Sequence, residues 1–306
     1  MKYSGRFSGK DGSISLEKEG IRLGSRFLDF ADVRNLRPLN HRVMIETLSG
    51  EEIEISMLGF SYDGFWEELS SLYAKRSLEA LFAEEAPLMR CEDGEYDLPG
   101  ERGRGIILLL PDAICVLPPD CGAIRIPLCY SDEIRLDGYL IRIRMRSGAE
   151  YCVGRMGYDT VPFAERAAKA AETVKKQRAK AISALKPEPP FRAAGIFRTE
   201  DPEHYWTAAF GKGCCAVELF TGENAATYLY RYEGSADDFL FNLEEVMEAV
   251  GTHREIINLS PEELEKNPLY RMSVARTPAV RFLRRKAAGR LIHNASHAER
   301  LAEFLG

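Results

Sequence analysis

The stretch that decides the fold is LDFADVRNL, residues 28–36, which returns further along the chain as LCYSDEIRL, residues 128–136. Both copies begin and end with leucine and carry an aromatic residue at the third place. Both have aspartate at the fifth place, Asp32 in the first copy and Asp132 in the second. A match this short means little alone, so its value depends on whether the neighbouring landmarks repeat in the same order.

The landmarks on either side of this stretch also repeat. The turn sequence SGEE at 49–52 matches SGAE at 147–150, and LGF at 58–60 matches MGY at 156–158. The offset between matched positions is not constant, as changes in loop length would produce. Upstream, four apolar residues pair in order with four others: Ile14, Leu16, Ile21 and Leu23 with Ile107, Leu109, Ile114 and Val116. The ordered series indicates that one unit has been copied within the chain.

Each copy is predicted to form several strands followed by one helix. Apolar and polar residues alternate over 43–48 and again over 139–146, the period of a half-buried strand. Gly50 and Gly148 supply the conformation that a tight hairpin turn needs. After these strands the apolar period becomes helical, over about 64–83 in the first copy and 162–185 in the second.

Antiparallel strands closed by one amphipathic helix, in tandem, resemble the pleckstrin-homology-like (PH-like) fold. The resemblance covers residues 1–186, and it is closest to bacterial proteins with tandem copies of this fold, most of which have no described function. It implies two bent antiparallel barrels, at 1–86 and 87–186, each plugged by its C-terminal helix. The alternative is two unrelated β-barrel domains of five or six strands. The basic cluster with which lipid-binding relatives grip inositol phosphates is missing from the hairpin at 8–13 and from its counterpart in the second copy.

Residues 187–306 do not repeat the pattern and are predicted to form an α+β module after the proline-rich linker 186–190. The protein as a whole is therefore expected to be α+β and mainly β. Ser235 begins a helix that ends at Gly251, and Ser260 with Glu263 forms a capping box. The remaining predicted elements of this module are strands at 205–210, 214–220, 225–232 and 256–259, and helices after Thr277 and at 298–305.

Composition narrows the classes of function. The chain has 306 residues, 45% of them hydrophobic, and a net charge of −6, which does not favour non-specific nucleic-acid binding. No apolar run approaches the ~20 residues of a membrane span, and the N-terminus shows no signal peptide. Seven cysteines without a CxxC motif predict reduced thiols in the cytoplasm. No phosphate-binding loop or other cofactor motif occurs, so no cofactor is expected.

Two basic clusters are candidate binding sites for an anion. Arg142, Arg144 and Arg146 fall on one face of a strand, where three guanidinium groups in a row suit an acidic peptide or a phosphate. The segment 269–290 contains only basic charged residues, of which Arg281, Arg284 and Arg285 are the candidates. The simpler interpretation is a solvated strand face in the first case, and neutralisation by the acidic segment 200–268 in the second.

The sequence gives weaker signals for a catalytic or metal-binding site than for an anion-binding site. His204, Cys214 and Glu218 are the candidates for an active site in the C-terminal module, if the hairpin brings His204 close to Cys214. His293 and His297 have the spacing of two metal ligands on a helix, but no third ligand is evident. Buried cysteine without chemistry is the simpler interpretation of the thiols.

The leading hypothesis is therefore a non-enzymatic cytoplasmic binding or scaffold protein whose PH-like domains recognise a protein or peptide, with strand addition as one mode of binding. One alternative is weak binding of an anionic lipid headgroup or nucleic acid through the basic clusters. The other is an enzyme with its site in the C-terminal module. The sequence leaves the ligand and the oligomeric state open.

Overall fold

The computed structural model describes residues 2–83, 85–187, 191–196, 204–221, 224–251, 253–286, 288–292 and 304–306. It is a mixed α+β protein that consists mostly of sheet: two seven-stranded antiparallel sheets, one of them nearly closed into a barrel, and a smaller third sheet. Each seven-stranded sheet is followed by one long helix. Of the described helices, none combines the length and the apolar character needed to cross a membrane.

The first sheet and its helix form repeat 1. The spatial order is β4-β3-β2-β1-β7-β6-β5, and helix α1 follows the last strand. The elements are β1 (Lys2–Phe7), β2 (Lys10–Leu16), β3 (Gly20–Leu23), β4 (Arg26–Asp29), β5 (Val33–Leu39), β6 (Arg42–Thr47), β7 (Glu52–Ser56) and α1 (Tyr62–Ala80).

The second sheet and its helix form repeat 2, with the same order, β11-β10-β9-β8-β14-β13-β12. The elements are β8 (Met89–Leu98), β9 (Glu101–Leu109), β10 (Ala113–Leu117), β11 (Ile124–Pro127), β12 (Ser131–Asp137), β13 (Leu140–Met145), β14 (Glu150–Gly154) and α2 (Thr160–Ala184). Each sheet has seven strands, so the alternative of five- or six-stranded barrels is wrong in strand number.

The irregular features repeat as well as the strands. A 3-10 turn joins the fourth and fifth strands in each repeat, at Phe30–Asp32 and Leu128–Tyr130, and a register shift follows it in both. Gly50 and Gly148 both have φ of 85°, as the predicted hairpin turns require. The shared strand order and shared irregularities support the predicted duplication.

The structural alignment corrects one detail of the sequence alignment. Phe30–Asp32 corresponds to Leu128–Tyr130, so LDFADVRNL and LCYSDEIRL are matched two residues out of step, and Asp32 does not correspond to Asp132. The error has a simple cause, because side chains alternate along a strand with a period of two. A shift of two residues leaves every side chain on the same face and preserves the apolar pattern.

In its described residues, the C-terminal module contains a five-stranded antiparallel sheet and the helices α3 to α6. The order is β15-β16-β17-β18-β19, and the helices follow β18 in the chain. The elements are β15 (Arg192–Ile196), β16 (His204–Gly211), β17 (Cys214–Thr221), β18 (Asn224–Arg231), α3 (Ala236–Val250), α4 (Pro261–Glu265), α5 (Pro268–Arg276), α6 (Pro278–Lys286) and β19 (Ala288–Ile292).

Most local predictions for this module are confirmed. The Ser235 side chain caps α3, Gly251 ends it, and the Ser260–Glu263 capping box starts α4. The strand predicted at 256–259 is wrong, because residues 254–257 form a 3-10 helix whose Ile256 and Ile257 are both buried. The predicted helix at 298–305 lies outside the described residues except for its last two positions.

Candidate functional site

Helix α1 has two buried faces and joins the two repeats. One face, with Phe65, Leu69 and Tyr73, fills the core of repeat 1. The other face, with Ala74 and Leu78, packs on the outer surface of β9 and β10 in repeat 2. As a result every residue of β10 is buried, because the barrel core covers one side and α1 covers the other.

Repeat 1 and the C-terminal module exchange large side chains. Met272 of α5 is fully buried in the core cluster of repeat 1, beside Leu269. In return, Phe82, just beyond the end of α1, is buried in the core of the C-terminal module and stacks on His253 at 4.4 Å between ring centroids. Each core therefore depends on a side chain that the other unit supplies.

The edge strand of repeat 1 is bonded to a loop of repeat 2. The amide of Leu36 donates to the carbonyl of Pro119 at 2.7 Å, and the amide of Cys121 donates to the carbonyl of Arg34 at 2.8 Å. Asn35 and Asp120 form the bridge between these bonds. Strand addition at this edge of β5, one form of the partner binding predicted from the sequence, is therefore blocked by the chain itself.

A buried network of charges fixes repeat 2 to the C-terminal module. Arg125 of β11 contacts Asp112 at 2.5 Å and Glu248 of α3 at 3.7 Å, and Arg178 of α2 also pairs with Glu248. The side chains of Arg125 and Glu248 are 3% and 1% exposed. Two cations and two anions thus neutralise one another in a site closed to water, and such a set tolerates the loss of a member poorly.

The three units leave a cleft of about 760 Å³ where they meet, here called the junction cleft. Its polar wall takes residues from all three units: Arg34, Asn35, Glu46, Glu101, Asp120, Cys121, Arg276 and Arg281. Leu98, Ile124, Ala149 and Tyr151 supply apolar surface beside them. This volume and mixed lining fit the usual range of ligand sites, which often lie at domain interfaces.

Glu101 and Asp120 form a carboxyl pair in the junction cleft. The amide of Gly122 donates to Asp120 Oδ1 at 2.7 Å, and Tyr96 donates to Glu101 at 3.4 Å. Burial and the neighbouring carboxyl raise the pKa of Glu101, and burial raises the pKa of Asp120. A Cβ atom at 122 would lie 2.4 Å from Glu101 Oε2, so a larger residue there would displace the Glu101 carboxylate.

Arg276 is the most buried cation of the junction cleft, with 4% of its surface exposed. It donates to the hydroxyl of Tyr73 at 2.8 Å and to the carbonyl of Met272 at 3.4 Å, while its Nε has no hydrogen-bond partner among the described residues. Among those residues no carboxylate lies within ion-pair distance of Arg276. The Arg34 side chain, in contrast, pairs with Glu46 at 3.4 Å.

Cys121 lies in the same wall but is not an activated thiol. Burial raises its pKa, and Arg276 only partly opposes that effect. A nucleophilic cysteine needs a lowered pKa, so Cys121 stays a neutral thiol at neutral pH.

The predicted Arg142, Arg144 and Arg146 cluster does not converge on one site. Arg142 pairs with Asp137 at 2.7 Å, and Arg144 contacts Asp132 at 3.2 Å and Glu133 at 3.4 Å. Arg146 instead lies over the ring of Phe241 at 6.0 Å. The strand face is thus crossed by exposed ion pairs, the simpler interpretation given above.

The other three predicted residues lie on α6 and have different roles. Arg284 donates to the carbonyls of Ile256 and Leu259, both at 2.6 Å, and so holds the turn that precedes α4. Arg281 reaches the junction cleft, and Arg285 is exposed. The expected neutralisation by the acidic segment 200–268 is seen at Arg271, which pairs with Glu265, while its second partner, Asp32, belongs to repeat 1.

The proposed catalytic set is not brought together. His204 and Thr221 pair at one end of the β16–β17 hairpin, while Cys214 pairs with Gly211 at the other, about 20 Å away at the spacing of extended strands. Cys214 and Cys215 are both buried, and burial raises the pKa of Cys215. His293 and His297 lie outside the described residues. Within the described part, no group of three histidine, cysteine, aspartate or glutamate residues is placed to hold a metal ion.

Sequence reasoning missed Glu101, Asp120 and Arg276. One signal was present: the offset between the repeats changes because repeat 2 has the loop 118–123 where repeat 1 has only Gly24 and Ser25. That inserted loop carries Asp120 and Cys121 into the junction cleft. Comparison with known proteins adds no assignment, since neither a protein-family model nor a curated protein matches the chain.

Proposed function

We propose that this is a non-enzymatic binding protein of the tandem PH-like type, which takes a segment of a partner polypeptide into the junction cleft. Two antiparallel sheets of the same strand order, each with helix residues in its core, support the PH-like interpretation. All seven cysteines are free thiols, which supports a reducing compartment such as the cytoplasm.

The observation that carries the proposal is where the junction cleft lies. Its walls come from repeat 1, repeat 2 and the C-terminal module, which are fixed by exchanged side chains, by strand-like bonds and by the buried charge network. A cleft held open by a rigid frame binds without an ordering cost of its own. The interaction sites of a scaffold protein have this character, and His204 and Cys214 of the enzyme alternative are not among the residues that line the cleft.

Panning a random peptide library on the full chain tests the proposal. Ala275 is exposed on α5 and lines the junction cleft, so A275W fills the cleft from its rim without replacing a core residue. Ala168 is exposed on α2 and lies away from the cleft, so A168W is the matched control.

We expect selected peptides to bind the natural chain and A168W equally and to lose affinity for A275W. Peptides that bind A275W as well as they bind A168W, or a panning that enriches no sequence, would show that the junction cleft is not a polypeptide site.

A further inference from the structure

Two arginines of the junction cleft form no ion pair with any residue that the structure describes. Arg276 and Arg281 line the same wall, and in the described part of the chain neither has a carboxylate within ion-pair distance. Their neighbours Arg34 and Arg271 both have one, Glu46 for Arg34 and Asp32 for Arg271. The difference singles out two positive charges that form no close ion pair, since Asp120 interacts with Arg276 only beyond ion-pair distance.

The cost of this arrangement is largest at Arg276. A guanidinium taken out of water is destabilising unless a counter-charge compensates it, and only neutral oxygens contact this one. Its Nε carries a proton without an acceptor among the described residues. An arginine buried in this way is prepared for an anion that arrives from outside.

Arg281 brings a second guanidinium to the same wall from the next helix. Its Nη1 donates to the carbonyls of Val274 and Ala275 at the end of α5, which fixes the side chain beside the cleft. Burial and the charge of Arg285 lower the pKa of Arg281. A bound anion would raise the pKa of Arg281 again, because it supplies a counter-charge.

The carboxyl pair in the same wall leaves room for an anion as a neighbour. Burial and the neighbouring Asp120 raise the pKa of Glu101, which disfavours two full negative charges on the pair. Arg276 and Arg281, the two cations of this wall without an ion pair in the described part of the chain, therefore favour an oxyanion.

We infer that Arg276 and Arg281 bind an oxyanion on the partner polypeptide, either the carboxylate of an acidic side chain or the phosphate of a phosphorylated one. The inference rests on the proposed function. Guanidinium groups suit both ligands, because their planar N–H donors match carboxylate and phosphate oxygens in pairs. The Glu101–Asp120 pair limits the number of charges that the site accepts and so favours a single acidic side chain over a polyanion.

The test uses the full chain and three synthetic peptides of a sequence returned by panning. They are identical except at one acidic position, which is aspartate, phosphoserine or serine, and inorganic phosphate is titrated separately. R281Q removes one cation. R285Q is the matched control, because Arg285 is exposed on the same helix and does not line the cleft. R276K is a second variant that keeps the charge but loses the planar donor geometry.

We expect the aspartate or the phosphoserine peptide to bind at least about tenfold more tightly than the serine peptide, and R281Q to abolish that difference while R285Q keeps it. The tighter of the two identifies the source of the oxyanion. R276K should lower the affinity for the anionic peptide, and excess inorganic phosphate should lower it as well.

If all three peptides bind equally and A275W still abolishes binding, the oxyanion site is wrong while the polypeptide site stands. If A275W changes nothing, the proposed function itself is wrong. If R281Q and R285Q lowered the affinity for the anionic peptide equally, the preference would come from general electrostatic attraction. That result would also overturn the assignment of the oxyanion site to Arg276 and Arg281.

Discussion

The same hairpin has opposite surroundings in the two repeats. In repeat 1, Arg22 of β3 pairs with Phe27 of β4, and both side chains lie on the outer face, where Phe27 is 38% exposed. In repeat 2, Cys115 and Arg125 occupy these positions, and both are buried. A phenylalanine thus faces water where its counterpart, an arginine, is enclosed. The comparison teaches that burial at this hairpin depends on what the rest of the chain packs against it.

The two helices show the same asymmetry. Helix α1 is covered on two sides, by its own sheet and by repeat 2, and uses leucine on the second side. Helix α2 uses alanines against its own sheet and places Arg178 against Glu248 of the C-terminal module. Helix α1 thus joins repeat 1 to repeat 2 by apolar contacts, whereas helix α2 joins repeat 2 to the C-terminal module by buried charge.

The largest expected effect tests the buried charge of repeat 2. E248A leaves Arg125 and Arg178 enclosed without their shared counter-charge, and we expect the free energy of unfolding to fall by about 4 kcal/mol in urea titrations. R22A, at the exposed counterpart hairpin, should leave it unchanged within error. If E248A and R22A lowered the free energy of unfolding equally, the buried charge of repeat 2 would be no more important than the exposed charge of repeat 1.

The next largest effect is expected at Met272, the apolar side chain of α5 that packs in the core of repeat 1. M272A opens a cavity in the core of repeat 1, so we expect a loss of about 3 kcal/mol, within the usual range for buried methionine. Hydrogen exchange should accelerate in α1, although the substitution is in α5. M57A is the control, since Met57 is 70% exposed. Faster exchange confined to the C-terminal module would contradict the shared core.

A smaller effect concerns the hydroxyl that holds Arg276. Y73F removes the acceptor of the 2.8 Å hydrogen bond and should cost about 1–2 kcal/mol in the same urea titration. Y62F on the same helix removes a longer bond to the carbonyl of Arg42 and should cost less. A cost for Y62F that equals or exceeds the cost for Y73F would show that Tyr73 does not support Arg276.

The smallest expected effect is a pH dependence. The folded chain raises the pKa of the Glu101–Asp120 pair, whereas unfolded carboxyls release their protons near pH 4. The stability that the shared proton contributes is therefore present at low pH and is lost as the pH rises through the raised pKa. The pair has no counterpart in repeat 1, because it depends on the inserted loop 118–123.

D120N serves as the reference in that experiment, because other carboxyls such as Glu17 and Glu51, whose pKa arginine partners lower, produce the opposite trend. The stability of the natural chain relative to D120N should be greatest near pH 4 and should decline toward pH 7. A difference that stays constant or grows over this interval would show that the pair does not share a proton.

Local features of the fold could be predicted because their causes are local. Turn glycines, the cap at Ser235 and the alternation along β13 all act within a few residues, and all are observed. The error at 256–259 arose because two adjacent buried isoleucines resemble a strand when only sequence is considered. The carbonyls of that turn are held instead by Arg284, from a later helix.

The candidate site could not be predicted for the opposite reason. Arg276 and Tyr73 are in contact although 203 positions separate them in the chain, and Asp120 reaches the cleft only because its loop bonds to β5. The hydrophobic periodicity of a sequence does not reveal contacts between residues that are so far apart in the chain. The basic segment that contains Arg276 was visible in the sequence, but which of its arginines lacks an acidic partner is decided by tertiary packing.

Met272 completes the core of repeat 1, and Phe82 completes the core of the C-terminal module. This reciprocal packing limits how recombination can transfer the architecture to other proteins. A unit that keeps its whole interior can be moved by recombination and will fold in a new host protein. Repeat 1 cannot be moved in this way, because its hydrophobic core includes Met272 of helix α5, which belongs to the C-terminal module. Shuffling should therefore transmit the arrangement only as an intact whole, and natural variants that lack the last third are expected to have lost the first third as well.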